Sequence, residues 1–347
     1  MTINVTNARP RNDAGFSLIE VMISTLIFTV ISGVVISGML SMNNINTVVG
    51  NRTEMHSGVR NATELMQQEV GQAGRAVLPQ EVQLAAAVVA EATTMTLEAS
   101  DAGSTIAPTV GMFDNMFLIV GIDENRETVQ IASMAGNDIT LLEAFLYPHP
   151  AGSPVAVSGG FAEGIVPPTM PDGSARPDGS TGTVLKMIGD VQSNGSMVYI
   201  EYTCDTVNHK LYRNVVAWDA ASKPAVTESM VLLDNLMPNP DGTDCFTYQT
   251  APIAAGETTT APGGVVATTT GSVCVVGVAI TLTVRTQDID PNTGDYQTET
   301  KALLNVAPRN VFNVWQIASL GGLEFRVQPL PLSVVTDLLP ALVAEDE

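Results

Sequence analysis

Gly15-Phe16-Ser17-Leu18-Ile19-Glu20 opens an apolar run that reaches about Leu40. Ahead of it stands a short polar leader, residues 1–15, carrying Arg9 and Arg11. Between Phe16 and Met42 the one ionisable side chain is Glu20. A carboxylate near the end of a membrane-length helix is costly to bury, so it demands a partner and marks a functional position. In an ordinary secretory signal the small-residue cleavage site follows the apolar region. Here Gly15 precedes it, so a cut after Gly15 would leave the apolar helix on the mature chain. About 20 apolar residues span a bilayer core, and residues 16–42 suffice.

The pattern then turns amphipathic over residues 43–77. Met55, Val59, Ala62, Met66 and Ala73 recur at helical spacing, with Arg52, Glu54, Arg60, Glu64, Glu69 and Arg75 mostly elsewhere. The spacing predicts one helix from Phe16 to about Ala76, its second half packing an apolar stripe on a sheet. Leu78-Pro79 is its predicted stop, because proline disfavours helical geometry in the residue before it. Ser24, Thr25, Ser32, Gly33, Ser37 and Gly38 thin the apolar half and would let another helix approach closely.

Residues 78–347 read as a β-rich head, giving an α+β fold. Met116 to Val120 and Thr128 to Met134 predict a hairpin around Asp123-Glu124-Asn125, followed by a strand from Ile139 to Leu142. A second group of strands is predicted at Met197 to Thr203, Leu211 to Trp218, Met230 to Leu236, Cys245 to Gln249, Val273 to Arg285 and Tyr296 to Val306. Residues 148–183 are dense in Pro, Gly and Ser and repeat Pro-Asp-Gly-Ser at 171–174 and 177–180, which predicts a long exposed loop. Residues 251–272, rich in Thr, Ala and Gly, predict a second loop. The apolar cluster at 331–347, with Leu338, Leu339, Leu342 and Val343, reads as a frayed terminal segment or a docking element.

With 36 acidic against 15 basic residues the formal charge is -21. Such a surface repels nucleic acid, whose binding footprint is clustered Lys and Arg, so no nucleic-acid partner is expected. Cys204, Cys245 and Cys274 are too far apart for a CxxC motif, and one disulfide plus one free thiol is the simplest count. Cys245 and Cys274 lie on strands predicted to neighbour each other and Cys204 on a third; all three pairings remain open. His56, His149 and His209 have no ligand-like spacing. Asp288, Asp290, Asn292 and Asp295, with Glu299 beyond them, alternate oxygen ligands as a calcium loop does. Thr293 stands where the sharp EF-hand turn needs glycine, and the favoured reading is a polar hairpin turn, with calcium the one candidate ligand. There is no nucleophile elbow, phosphate-binding loop or zinc-protease motif, so neither enzymatic activity nor a cofactor is expected.

The opening signature closely resembles that of the type IV prepilin family, which includes the type II secretion pseudopilins: a glycine, then Phe-x-Leu-x-Glu and an apolar helix. The resemblance implies cleavage between Gly15 and Phe16 by a prepilin peptidase, N-methylation of Phe16, and pairing of Glu20 with the amino terminus of a neighbouring subunit. Val198-Tyr199-Ile200-Glu201-Tyr202 with Leu211-Tyr212-Arg213, Cys245-Phe246-Thr247-Tyr248, Val306-Ala307-Pro308-Arg309-Asn310 and the helix residues Leu65 to Gly74 are similar to segments of large PilW-type minor pilins and GspJ-type pseudopilins. The expected role is therefore a minor pilin that primes or caps a pilus. Its partners would be other major and minor pilins through the helix, and the inner-membrane assembly platform. The chain would cross the cytoplasmic membrane once, head in the periplasm, before reaching the cell surface. The close rival is a secretion pseudopilin; a further one is a tip adhesin using loops 148–183 and 251–272.

Overall fold

A computed structural model describes residues 15, 17–122, 124–253, 259–260, 266–267, 272–320 and 324–340. Helix α1 (Leu18–Gln72) runs 55 residues and buries nothing before Met55. From there Met55, Val59, Ala62, Met66 and Val70 face inward, the expected stripe, with Thr63 and Glu69 also buried. Arg60 and Glu64 form the expected surface pair at 2.7 Å, worth a few tenths of a kcal/mol.

The helix ends at Gln72, before the predicted Leu78-Pro79 stop. The cause is Gly74, at φ +85°, which donates its N–H to Ile188 O at 2.8 Å and accepts from Phe161 N at 2.9 Å. A Cβ there would lie 2.7 Å from Val311 Cγ2 and 2.9 Å from Phe161 O. The chain is thus captured by sheet backbone two residues past the helix, and only glycine fits the close approach in that left-handed geometry.

The head is built from strands β1 (Val82–Leu84), β2 (Thr94–Ala99), β3 (Phe117–Val120), β4 (Glu127–Ala135), β5 (Asp138–Leu141), β6 (Pro154–Val157), β7 (Gly160–Phe161), β8 (Val184–Gly189), β9 (Val198–Asp205), β10 (Lys210–Ala217), β11 (Val231–Asp234), β12 (Leu236–Met237), β13 (Phe246–Ile253), β14 (Thr259–Thr260), β15 (Val266–Ala267), β16 (Ser272–Arg285) and β17 (Thr298–Val306), then helix α2 (Arg309–Ser319) and β18 (Val327–Gln328). The six strands β1-β2-β5-β4-β3-β6 close a small barrel. A sheet in the order β11-β10-β9-β8 and another, β12-β16-β13 with β17 on the free side of β16, pack against α1. All pairings are antiparallel except the short β7–β18 pair.

Two large cores result. Met55 to Ala73 of α1 meets Leu185, Met187, Ile200, Tyr202, Phe246, Val278 and Ile280. The barrel interior, with Leu84, Leu97, Leu118 and Ile131, continues onto the opposite face of β8–β10 through Ile188, Tyr199 and Val216. Strand β9 is therefore buried on both faces, so its predicted half-buried alternation is not observed.

Residues 148–183 are not one exposed loop. They supply β6 and β7, and Phe161, Ile165, Val166 and Ser158 are fully buried. The glycines that suggest a loop serve close backbone packing: a Cβ on Gly164 would sit 2.2 Å from Gly74 Cα. The two Pro-Asp-Gly-Ser repeats diverge. Asp172 makes an exposed turn, accepting from Ser174 N at 2.9 Å and Ser174 Oγ at 2.6 Å, whereas Ser180 is buried and its Oγ accepts from Lys186 N at 3.1 Å. Nor does the C-terminal segment fray before residue 341: Val334, Leu338 and Leu339 are fully buried in the barrel-side core. Leu342 and Val343 lie outside the described residues, as do Asp123 and most of 251–272.

Candidate functional site

Ser17 precedes the helix in extended geometry, φ -69° and ψ 144°, and Glu20 Oε2 accepts the Ser17 N–H at 3.0 Å. This contact places the carboxylate at the positive end of the helix, where anions are favoured, and within a turn of the Gly15–Phe16 bond. Gly15 is exposed; Phe16 lies outside the described residues.

From Leu18 to Val49 the apolar side chains stand free of the head, with Leu18 78% and Phe28 71% exposed. The apolar stretch of α1 is long enough to cross a membrane, with a mean hydropathy of 2.3. Its two threonine hydroxyls are satisfied internally: Thr25 Oγ1 donates to Val21 O at 2.9 Å and Thr29 Oγ1 to Thr25 O at 2.7 Å. The helix thus exposes hydrocarbon and closed hydrogen bonds, as lipid or a neighbouring helix requires. A Cβ added at Gly33 or Gly38 would touch nothing among the described residues. No contact within the chain requires these glycines, and they leave shallow ground for another helix.

The lower end of α1 is clamped to the head by ionic contacts that its polar pattern did not reveal. Glu69, read as part of the polar face, is 4% exposed. It accepts the Tyr202 hydroxyl at 2.5 Å and the Arg213 Nε at 3.2 Å, and pairs with a second Arg213 nitrogen. Burial, with the Glu69 carboxylate beside it, pushes the Tyr202 phenol well above its ordinary value, so the phenol keeps its proton. Arg75 reaches Asp190 at 3.5 Å, and higher up Arg52 meets Gln297 and His56 meets Glu299.

The calcium candidates are dispersed by the same contacts. Glu299 faces His56 across the α1–β17 contact instead of the 288–295 turn. Asp290 Oδ1 accepts the Asn292 N–H at 2.9 Å, and its Oδ2 is taken by Gln297. Gly294 N–H donates to Asp290 O at 2.8 Å, closing a polar hairpin turn. Among the described residues no group of three or more His, Cys, Asp or Glu side chains could hold a metal ion.

Of the three possible pairings the structure contains Cys204–Cys245, Cα atoms 6.6 Å apart and 41 residues apart in sequence. It ties β9 to the start of β13, joining the two sheets, and is worth about 2–4 kcal/mol. Cys274 is fully buried on β16, its thiol donating to Ala251 O at 3.3 Å, and burial pushes the thiol up to about 12. At neutral pH it holds almost no thiolate, the reactive form. Thiol titration of the protein after oxidising expression is expected to read no reactive group in the native state and one after denaturation without reductant. Three thiols after denaturation would remove the disulfide.

Residues 10–36 match the family model described as the prokaryotic N-terminal methylation motif. No curated protein and no solved structure matches the chain. The chain therefore carries a class III leader of the type IV pilin kind ahead of an apolar helix and an α+β head, features of a type IV pilin-like or pseudopilin protein.

Proposed function

We propose that the protein is a minor type IV pilin, a structural subunit that primes or caps the filament. A prepilin peptidase cuts between Gly15 and Phe16 and Phe16 is N-methylated. The helix holds the protein in the cytoplasmic membrane with its head in the periplasm until the assembly platform passes it into a pilus beside other pilins. The observation that carries this reading is a single carboxylate, Glu20, at the tip of a helix whose apolar surface the head leaves uncovered.

The size of the head supports a minor subunit over the repeating shaft. A barrel and two further sheets on one helix are bulky for the close helical packing of a homopolymer, and a few copies at the tip avoid the crowding. Of the two segments named for an adhesive role, residues 148–183 bury 160–162 and 164–167 but leave 170–175 exposed. Quantitative proteomics of sheared, purified filaments is expected to find this chain far below a smaller major pilin. Equal stoichiometry with the most abundant subunit would make it a shaft protein. Recovery with a secretion pseudopilus and not with pili would favour the pseudopilin role.

A further inference from the structure

The face of β8–β10 turned away from α1 should be apolar, since it closes the barrel-side core. Instead a row of polar side chains crosses it. Lys186, Glu201 and Asn214 are register partners on three adjacent strands, so all three stand on one face. Lys223, from the segment after β10, reaches over the row and donates to Glu201 Oε2 at 2.8 Å. The Tyr199 hydroxyl donates to the same oxygen at 2.6 Å, and the Lys223 ammonium lies 5.9 Å from the Tyr199 ring centre. Lys223 is 6% exposed, Glu201 9% and Asn214 2%.

Asn214 is the anomaly. Its Nδ2 donates to Pro224 O at 3.0 Å, the carbonyl one residue beyond Lys223, while its Oδ1 is buried with no hydrogen-bond partner among the described residues. A buried acceptor left unpaired costs about 1–3 kcal/mol, and such a group in a native structure calls for an explanation, chemistry among them. An amine nucleophile, a carboxylate able to take its proton and an amide electrophile are gathered in one water-poor pocket. Asn214 and Glu201 are cross-strand register partners, a relation in which Cβ atoms stand about 5 Å apart.

We propose that Lys223 and Asn214 join in an intramolecular isopeptide bond after folding, with Glu201 as the proton carrier. Glu201 takes one proton from the Lys223 ammonium, and the freed Nζ lone pair attacks Asn214 Cγ. The proton passes to Nδ2 as the Cγ–Nδ2 bond breaks, and ammonia leaves, carrying the remaining surplus proton of Nζ as ammonium. A secondary amide joins the two side chains, Glu201 is again a carboxylate, and no oxidant or cofactor is consumed. Fixed proximity in place of a bimolecular encounter and a positioned base are what the fold supplies; the register of β9 and β10 must form first. The product locks the segment between β10 and β11 onto the sheet.

The test is peptide mass spectrometry on the full chain purified from membranes, reduced and digested with trypsin. Pro224 blocks cleavage after Lys223, so one peptide from Asn214 to Arg285 carries both residues. It is expected to be lighter than its sequence by one ammonia, with no backbone fragment ions separating residues 214 and 223. Lys223→Arg keeps a cation against Glu201 but cannot form this amide, and should restore the full mass. Glu201→Gln, which removes the base, should cut the cross-linked fraction at least tenfold. A full-mass peptide from the unaltered protein would overturn the proposal. So would an ammonia loss that survives in Lys223→Arg, since Asn214 would then be cyclising on its own backbone. Undiminished cross-linking in Glu201→Gln would remove Glu201 from the proton transfer.

Discussion

Glu20→Ala is expected to leave leader cleavage and membrane insertion intact while incorporation into filaments falls at least tenfold. The carboxylate is exposed at the helix tip, outside the head, and accepts the Ser17 N–H, so its loss should take nothing from the folded head. Its effect must come through a neighbour. In the assembled state the proposed partner is the ammonium of an adjoining processed N-terminus, in surroundings where an unpaired charge costs several kcal/mol. A loss of about 1.4 kcal/mol is already tenfold in an equilibrium constant, so removing one member of such a pair should suffice. The mature N-terminus of the variant, read by mass spectrometry, should still begin at Phe16, and sheared filaments should be depleted of it relative to the membrane fraction. Normal recovery in filaments would end the assembly role of Glu20.

Glu69→Ala should act on the fold instead. The carboxylate holds Tyr202 and Arg213 from the helix side, with Glu69 4% exposed. Its removal leaves a buried phenol and a partly buried guanidinium without an acceptor. Breaking a buried pair from one side costs about 3–5 kcal/mol, which for a domain of this size lowers Tm by roughly 6–15 °C. Glu69→Gln keeps an acceptor for both groups and should lose markedly less. Thermal unfolding of the full chain in detergent, followed by near-ultraviolet circular dichroism, separates the two. An unchanged Tm in Glu69→Ala would show that the clamp contributes nothing to holding the helix on the head.

The helix was legible because its two signals are one-dimensional: an unbroken apolar run, then a stripe at 3.6-residue spacing that Met55, Val59, Ala62 and Met66 confirm in burial. Strands with strong alternation or β-branched runs, such as β9, β10, β16 and β17, were legible on the same grounds. What failed depended on the third dimension. Gly74 stops the helix because sheet backbone waits there, and nothing in a linear reading of Gly-Arg-Ala tells it from a tolerated glycine. Glycine and proline over 148–183 signal an exposed loop or a passage squeezed between backbones equally well. Glu69 looked like a surface acid until Arg213, 144 residues on, came to meet it. Strand β1 is too short to repeat a pattern, β2 carries a readable alternation over Thr94–Ala99 that went unused, and β8 carries Lys186 where an apolar residue would have marked it. Helix α2, entered through Pro308 at its N-cap with Val311 and Val314 three apart on the buried face, is too short for its period to stand out in the sequence.

The barrel-side core draws side chains from Ala76 through to Leu339, and Leu339 O accepts the Lys186 ammonium at 2.7 Å. A ribosome delivers these partners in order, so the barrel strands emerge long before the segment that seals them. Until Val334, Leu338 and Leu339 arrive, part of the barrel-side core stands open, and a half-made chain presents apolar surface to its surroundings. Completion of the head thereby waits on the delivery of residues 334–339. A chain cut a few residues short of 340 would lack the segment that seals this core and should be open to proteolysis.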